Sequence, residues 1–172
     1  DDFVNLKVTF VTPVLDLDAD DESDGFPVTY VHFDVGTVDG FSHTVKVYFD
    51  TSAEHVVNDN GHEVAWARED AADLIAMKVG TTAQNFASSY SDRIDWGYGY
   101  VAAPAAETTA SGMTSATTAR STFNQGGDAT IGDLADDATG PRAADDDWIV
   151  LALEFSLPVS KLAPTASAYL ML

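Results

Sequence analysis

Apolar and polar side chains alternate along much of this chain with a period of two, the pattern of strands half-buried in a sheet. In residues 3–11, Val4, Leu6, Val8 and Phe10 fall on one face and Asn5, Lys7 and Thr9 on the other. Pro13 ends or edges that strand. Residues 26–35 are apolar on both faces, with Val28 and Tyr30 against Val31, Phe33 and Val35, which predicts a central strand covered on each side. Asp39-Gly40 is a hairpin signal, and residues 43–50 return with Val45, Val47 and Phe49 inward. Further strands are predicted around Val64 and Trp66, over 74–80, over 93–104 and over 148–157, where Ile149, Leu151, Leu153 and Phe155 make one apolar face. Residues 105–119, mostly Ala, Thr and Ser, have little to bury and read as an exposed loop; 128–144 reads as a long acidic loop. No stretch sustains a helical period. About nine short strands with turn signals between them predict an all-β fold, an antiparallel β-sandwich with long loops, as a single domain over residues 1–172.

One stretch organises the rest. As a continuous strand, residues 93–104 would place Ile94, Trp96, Tyr98 and Tyr100 on one face and Asp95, Gly97, Gly99 and Val101 on the other. The two glycines leave the second face nearly bare, so a neighbouring backbone, a ring or a ligand can come close. Two readings follow: a core strand whose glycines admit a bulky neighbour, or an aromatic platform for a sugar or another apolar-faced molecule. Trp96, Tyr98 and Tyr100, together with Trp148, are therefore the candidate ligand or interface residues.

Charge narrows the field. Twenty-eight acidic residues against eight basic ones give a net charge of −20. Binding to nucleic acid or an anionic membrane needs Lys and Arg to neutralise phosphate, and this chain opposes both. The acidity suits cations or basic surfaces as partners. The absence of cysteine removes disulfides, thiolate zinc sites and cysteine nucleophiles together. No apolar run approaches the length of a membrane span.

Residues 16–25 read Asp-Leu-Asp-Ala-Asp-Asp-Glu-Ser-Asp-Gly. Oxygen ligands at alternate positions are what a calcium loop supplies, and Asp16, Asp18, Asp20, Glu22 and Asp24 are the candidate Ca2+ ligands. Neither possible register completes an EF-hand loop, because the glycine or the twelfth-position glutamate is missing. The alternative is a solvated acidic loop. His32, His43, His55 and His62 show no metal-binding spacing, and no Gly-x-Ser-x-Gly elbow marks a nucleophile. No catalytic residue is identified, and no cofactor is required.

Seven phrases resemble one known family, in its order. They are Phe26-Pro27-Val28-Thr29-Tyr30, Asp39-Gly40 with residues 42–50 (Ser-His-Thr-Val-Lys-Val-Tyr-Phe-Asp), Val64-Ala65-Trp66, Gly80-Thr81-Thr82-Ala83-Gln84, Arg93-Ile94-Asp95-Trp96-Gly97-Tyr98, residues 145–152 (Asp-Asp-Asp-Trp-Ile-Val-Leu-Ala) and Tyr169-Leu170-Met171-Leu172. The family is the fungal and bacterial glutaminase A family, and the chain is similar to its N-terminal region. The resemblance implies a β-sandwich that precedes a larger helical domain in a secreted enzyme hydrolysing glutamine to glutamate and ammonia. The acidic run and the 105–119 stretch depart from the family pattern, and no family catalytic residue carries over.

The expectation is thus a non-catalytic, secreted sandwich domain that packs against a helical catalytic domain. The apolar stretch 168–172 fits this, since it must be buried in a sheet or continue into more chain. Two other readings stand beside it. One is a self-assembling module in which copies of the chain pair edge strands such as 168–172. The other is a calcium-dependent carbohydrate-binding domain.

Overall fold

The computed structural model describes residues 3–13, 28–90, 92–125, 131 and 134–172. The described chain is mostly strand, in antiparallel sheets, and is an all-β sandwich. It divides into two compact units, residues 1–45 with 157–172 and residues 46–156.

The first unit is built on β1 (Val4–Val11), β2 (Tyr30–Thr37) and β12 (Thr165–Met171), hydrogen-bonded in the order β1-β2-β12. The registers pair Leu6, Val8 and Phe10 with Val35, Phe33 and Val31, and these with Ala166, Ala168 and Leu170. Directly paired residues share a face, so the apolar alternation of three separate segments merges into one apolar face. Val31, Phe33, Val35, Ala168 and Leu170 on it are buried. The opposite face carries Lys7, Asp34 and Ser167, then the ring cluster Tyr30, His32 and Tyr169, whose centroids lie 5.5–6.2 Å apart. Asp39 closes the turn after β2 by accepting from His43 Nε2 (2.8 Å) and the Phe41 N–H (2.9 Å).

The second unit has two main sheets. One runs β8 (Gly99–Pro104), β5 (Leu74–Thr81), β4 (Glu63–Arg68), β10 (Arg142–Ala143). The other runs β3 (His43–Ser52), β11 (Ile149–Val159), β9 (Thr108–Ser115), with the far ends of β3 and β11 reaching past the unit's limits. Val64, Met77, Val79, Val101 and Ala103 fill the inner face of the first sheet, and Ile149, Leu151, Leu153 and Phe155 are fully buried on the second. Each of these side chains larger than alanine contributes about 1.5–3 kcal/mol relative to exposure. β11 is buried on its other face too. There Val150 and Ala152 pack with Ala110, Ile131 and α1 (Ala116–Asn124).

That last contact corrects the expectation for residues 105–119. The stretch is not an exposed loop but strand β9 followed by the first turn of α1, with Ala110, Met113, Ala116 and Ala119 buried. Its small side chains looked like a lack of core. They instead let a helix lie close on the sheet, since Gly112 and Ala110 sit opposite Ala152 and Glu154. Ser115 caps the helix, its hydroxyl accepting from the Thr118 N–H at 3.2 Å, the usual remedy for orphan N–H groups at a helix start. The described part of 128–144 is also more engaged than a loop. Ile131 and Ala144 are buried, and residues 142–143 form β10. Trp66 Nε1 donates to the Asp137 carbonyl (2.8 Å), and Arg68 grips Asp136 and Ser111.

Candidate interaction surface

The aromatic stretch is not one strand. Residues 93–94 form β7 (Arg93–Ile94), which pairs with β6 (Ser89–Tyr90) as a separate hairpin. The chain then turns at Gly97, with φ of +89°, a value that L side chains rarely adopt. Only at Gly99 does β8 begin. Ile94 and Trp96 therefore do not continue the row of Tyr98 and Tyr100, and the single wall of four rings expected from alternation does not exist.

Two smaller aromatic features replace it. Tyr100 is paired with Lys78, and Tyr98 lies over Gly80 on the same outer face of the sheet. A Cβ at Gly80 would meet the Tyr98 ring at 2.5 Å, so the absence of a side chain there is what seats this ring. Lys78 Nζ sits 4.7 Å above the Tyr98 ring and pairs with Glu69, which also accepts from the Tyr100 hydroxyl at 3.1 Å. The Lys78 hydrogen bond holds the Glu69 carboxyl below its ordinary range, and Glu69 in turn raises Lys78. Desolvation and Glu69 push the Tyr100 hydroxyl up. Both tyrosines remain exposed. Around them the face is low, since Ala65, Ala67, Ala76 and Ala102 share it by register.

The second feature is Phe86, 81 % exposed, whose ring tilts onto Trp96 with centroids 5.0 Å apart. This pair rides on a loop held by its own polar side chains. Asp95, buried, accepts from the Ser88 hydroxyl and from Asn85 Nδ2 (3.2 Å), while its carbonyl accepts from Thr81 Oγ1 (2.5 Å). Trp96 Nε1 donates to the Ser88 carbonyl at 3.1 Å. The hydroxyl of Ser88, then the amide of Asn85, hold the Asp95 carboxyl below its usual range. Gln84 (φ 42°), Ala87 (φ 59°) and Asp92 (φ 62°) are all left-handed, a conformation that persists where the surroundings over-determine it. The hydrogen bonds of Gln84, Asn85 and Ser88 supply that determination around Gln84 and Ala87.

Gly97 and Gly99 turn out to have different roles. Nothing lies within 4 Å of a Cβ at Gly97, so its work is conformational. Gly99 does admit neighbours, His55 and Val56, as the packing reading expected of that face.

Trp148 lies elsewhere. It is exposed, left-handed at φ 41° after Asp147 at 60°, and borders an open cleft of about 360 Å³ with Ser52, Glu54, Ala116, Thr117 and Arg120. None of Trp96, Tyr98 or Tyr100 lines that cleft. Arg120 is clamped by Asp50 through two contacts of 2.7 Å, and Tyr48 donates to the same carboxylate at 2.7 Å. Burial would raise Asp50, but the Arg120 and Tyr48 hydrogen bonds outweigh it and its pKa is lowered. Asp16, Asp18, Asp20, Glu22 and Asp24, the candidate calcium ligands, lie outside the described residues. Among the described residues no group of three or more His, Asp or Glu is placed to hold a metal ion. Phe86 was not singled out from sequence, and Gln84 entered only as the last residue of a family-like phrase, with no role given to it. Their signal was weak: an isolated aromatic and a glutamine within a polar stretch that shows no periodicity.

An all-β domain with an exposed aromatic surface is the class that fold and site define. The chain belongs to the family described as Domain of unknown function (DUF5127), whose model matches residues 1–172. It is also similar to glutaminase A of Aspergillus oryzae (strain ATCC 42149 / RIB 40), with 32% identity over 100 residues. That alignment covers 58% of this chain and 14% of the relative, so the chain spans only a small part of the relative's length.

Proposed function

We propose that this chain is the non-catalytic β-sandwich domain of a secreted, glutaminase-like amidohydrolase, packing against a helical catalytic domain of the same precursor. The observation that carries the reading is the outer surface of 84–100. Phe86, Tyr98 and Tyr100 are exposed, yet the loop beneath them is fixed by part-buried hydrogen bonds. Aromatic side chains exposed on a rigid support are enriched where proteins meet. The similarity to glutaminase A supplies the enzyme class. In this reading the domain supplies a docking wall, and glutamine hydrolysis belongs to the helical domain.

The test is ammonia release from glutamine by the isolated chain and by a precursor polypeptide that carries it. The isolated chain is expected to be inactive. In the precursor, Phe86→Ala combined with Tyr98→Ala should lower the unfolding temperature and the activity together, while the same pair leaves the isolated chain's fold intact. Hydrolysis by the isolated chain, or a precursor indifferent to the double substitution, would overturn the reading.

A further inference from the structure

Among the described residues β1 ends its sheet, and the chemistry of its edge can be read atom by atom. The Val38 N–H donates to the Phe3 carbonyl at 2.9 Å. In an antiparallel ladder this fixes the phase of every pair that follows. Asn5, Lys7, Thr9 and Val11 direct their backbone groups at β2, and Val4, Leu6, Val8 and Phe10 direct theirs outward. Among the described residues nothing pairs with that outer edge. The same outward residues carry the apolar side chains, exposed by 50 % at Leu6, 43 % at Val8 and 67 % at Phe10. They continue the buried row of Val31, Phe33 and Val35. A long, apolar strand with a free edge is a template for another strand.

We propose that the occupant of this edge is the β1 strand of a second copy, added antiparallel to make one sheet continuous across a dimer. Charge selects it. In a chain of net charge −20, residues 3–13 contain no acid and one base, Lys7, so this strip is where two acidic copies can touch. Register follows from the same lysine. Outward residues must pair with outward residues, which allows a two-fold centred on Leu6, Lys7 or Val8. Centring on Lys7 sets two ammonium groups opposite each other, which is destabilising. Centring on Val8 places Leu6 against Phe10 of the copy and Lys7 against Thr9, the best match of large apolar groups. Each free N–H and C=O of Leu6, Val8 and Phe10 then gains a partner.

The test is sedimentation of the full chain over concentration and ionic strength. Dimer should form and strengthen as ionic strength rises from about 0.01 to about 0.15 M, because screening of the mutual repulsion shortens from about 30 to about 8 Å. Val8→Pro removes an outward N–H that the β1–β2 ladder does not use and should weaken the dimer at least tenfold with unchanged circular dichroism. Leu6→Lys gives an independent readout should the proline disturb the strand. The chain lacks cysteine, so Val8→Cys should cross-link to its copy under mild oxidation, while Val38→Cys, exposed off the strand, should not. A monomer at every concentration to about 1 mM, or a dimer indifferent to both Val8→Pro and Leu6→Lys, overturns the proposal.

Discussion

The side-chain amide of Gln84 pairs with Gly97 as a neighbouring strand would. Its Nε2 donates to the Gly97 carbonyl at 2.9 Å and its Oε1 accepts the Gly97 N–H at 2.8 Å. A turn with φ of +89° has no ladder partner of its own, and one side chain thirteen residues away satisfies both of its polar groups. The same Nε2 reaches the Thr81 carbonyl at 2.9 Å, so Gln84 also anchors the end of β5.

Gln84→Ala should therefore cost about 1–3 kcal/mol, the range for leaving partly buried polar groups unpaired. Gln84→Glu should cost nearly as much, because a carboxylate accepts from the Gly97 N–H but repels two carbonyls. Denaturant unfolding gives the free energies. Limited proteolysis within 82–98 should accelerate in both variants, and an unchanged cleavage rate would deny the amide its anchoring role.

Gly80→Ala tests the seat of Tyr98. The added methyl would meet the ring at 2.5 Å and the Gly97 carbonyl at 2.8 Å. The carbonyl belongs to the fixed turn and has nowhere to go, so the ring and the turn must both shift. Overpacking of this kind costs about 1–3 kcal/mol. Gly80→Ala combined with Tyr98→Ala should recover only part of that loss, since the backbone clash remains. Full recovery would place the whole conflict in the ring.

Asp95 sets an acid-side dependence whose sign is fixed by its environment. Its pKa is lowered from 3.8 in the folded chain, first by the Ser88 hydroxyl and then by Asn85. A group depressed on folding adds stability that is fully present above its unfolded pKa and is lost as pH falls through the folded one. The Asp95 contribution is thus complete near neutrality and drains below about pH 3.8. Net charge acts in the opposite direction, because protonating carboxylates relieves the repulsion of a −20 chain. The residue-specific part is isolated by subtracting Asp95→Asn from the parent at each pH. That difference should be largest at neutral pH and shrink towards pH 3; a flat difference would mean the carboxylate's charge plays no part.

How much of this was readable in the sequence depends on period. Strands with period two were legible: β2, β3, the buried row of β11 and the β4–β5 pair all fall where alternation put them. The hairpin expected across Asp39-Gly40 did not form, because β2 pairs with β1 and β12 while β3 pairs with β11 in another sheet. β9 was not, because Thr108–Ser115 presents Ala, Gly and Ser where bulky residues would have shown a face. The row 94–100 failed for the opposite reason. Its alternation was real in the sequence, but Gly97 broke the backbone and Gln84 and Asp95 held the break open. Long-range polar side chains of that kind leave no periodic trace.

Glu154 is the other case that pattern reading left unexplained, and it yields the last prediction. It lies on β11 with no exposed surface, its Oε2 accepting from the Ile131 N–H at 3.2 Å and its Oε1 3.7 Å from Lys46 Nζ. A carboxylate taken out of water depends on the countercharge beside it, and removing one member of a buried pair strands the other. Lys46 retains some solvent contact, with 28 % of its side chain exposed, which moderates the effect. Lys46→Met should then cost up to about 3 kcal/mol. Glu154→Gln should cost less, because a neutral amide loses the charge but its oxygen still accepts from Ile131. The double variant should be more stable than Lys46→Met alone, since the stranded charge is gone. Urea unfolding of the three variants closes the cycle. Additive losses would mean that the two charges are not coupled and that Ile131, not Lys46, makes this buried acid tolerable.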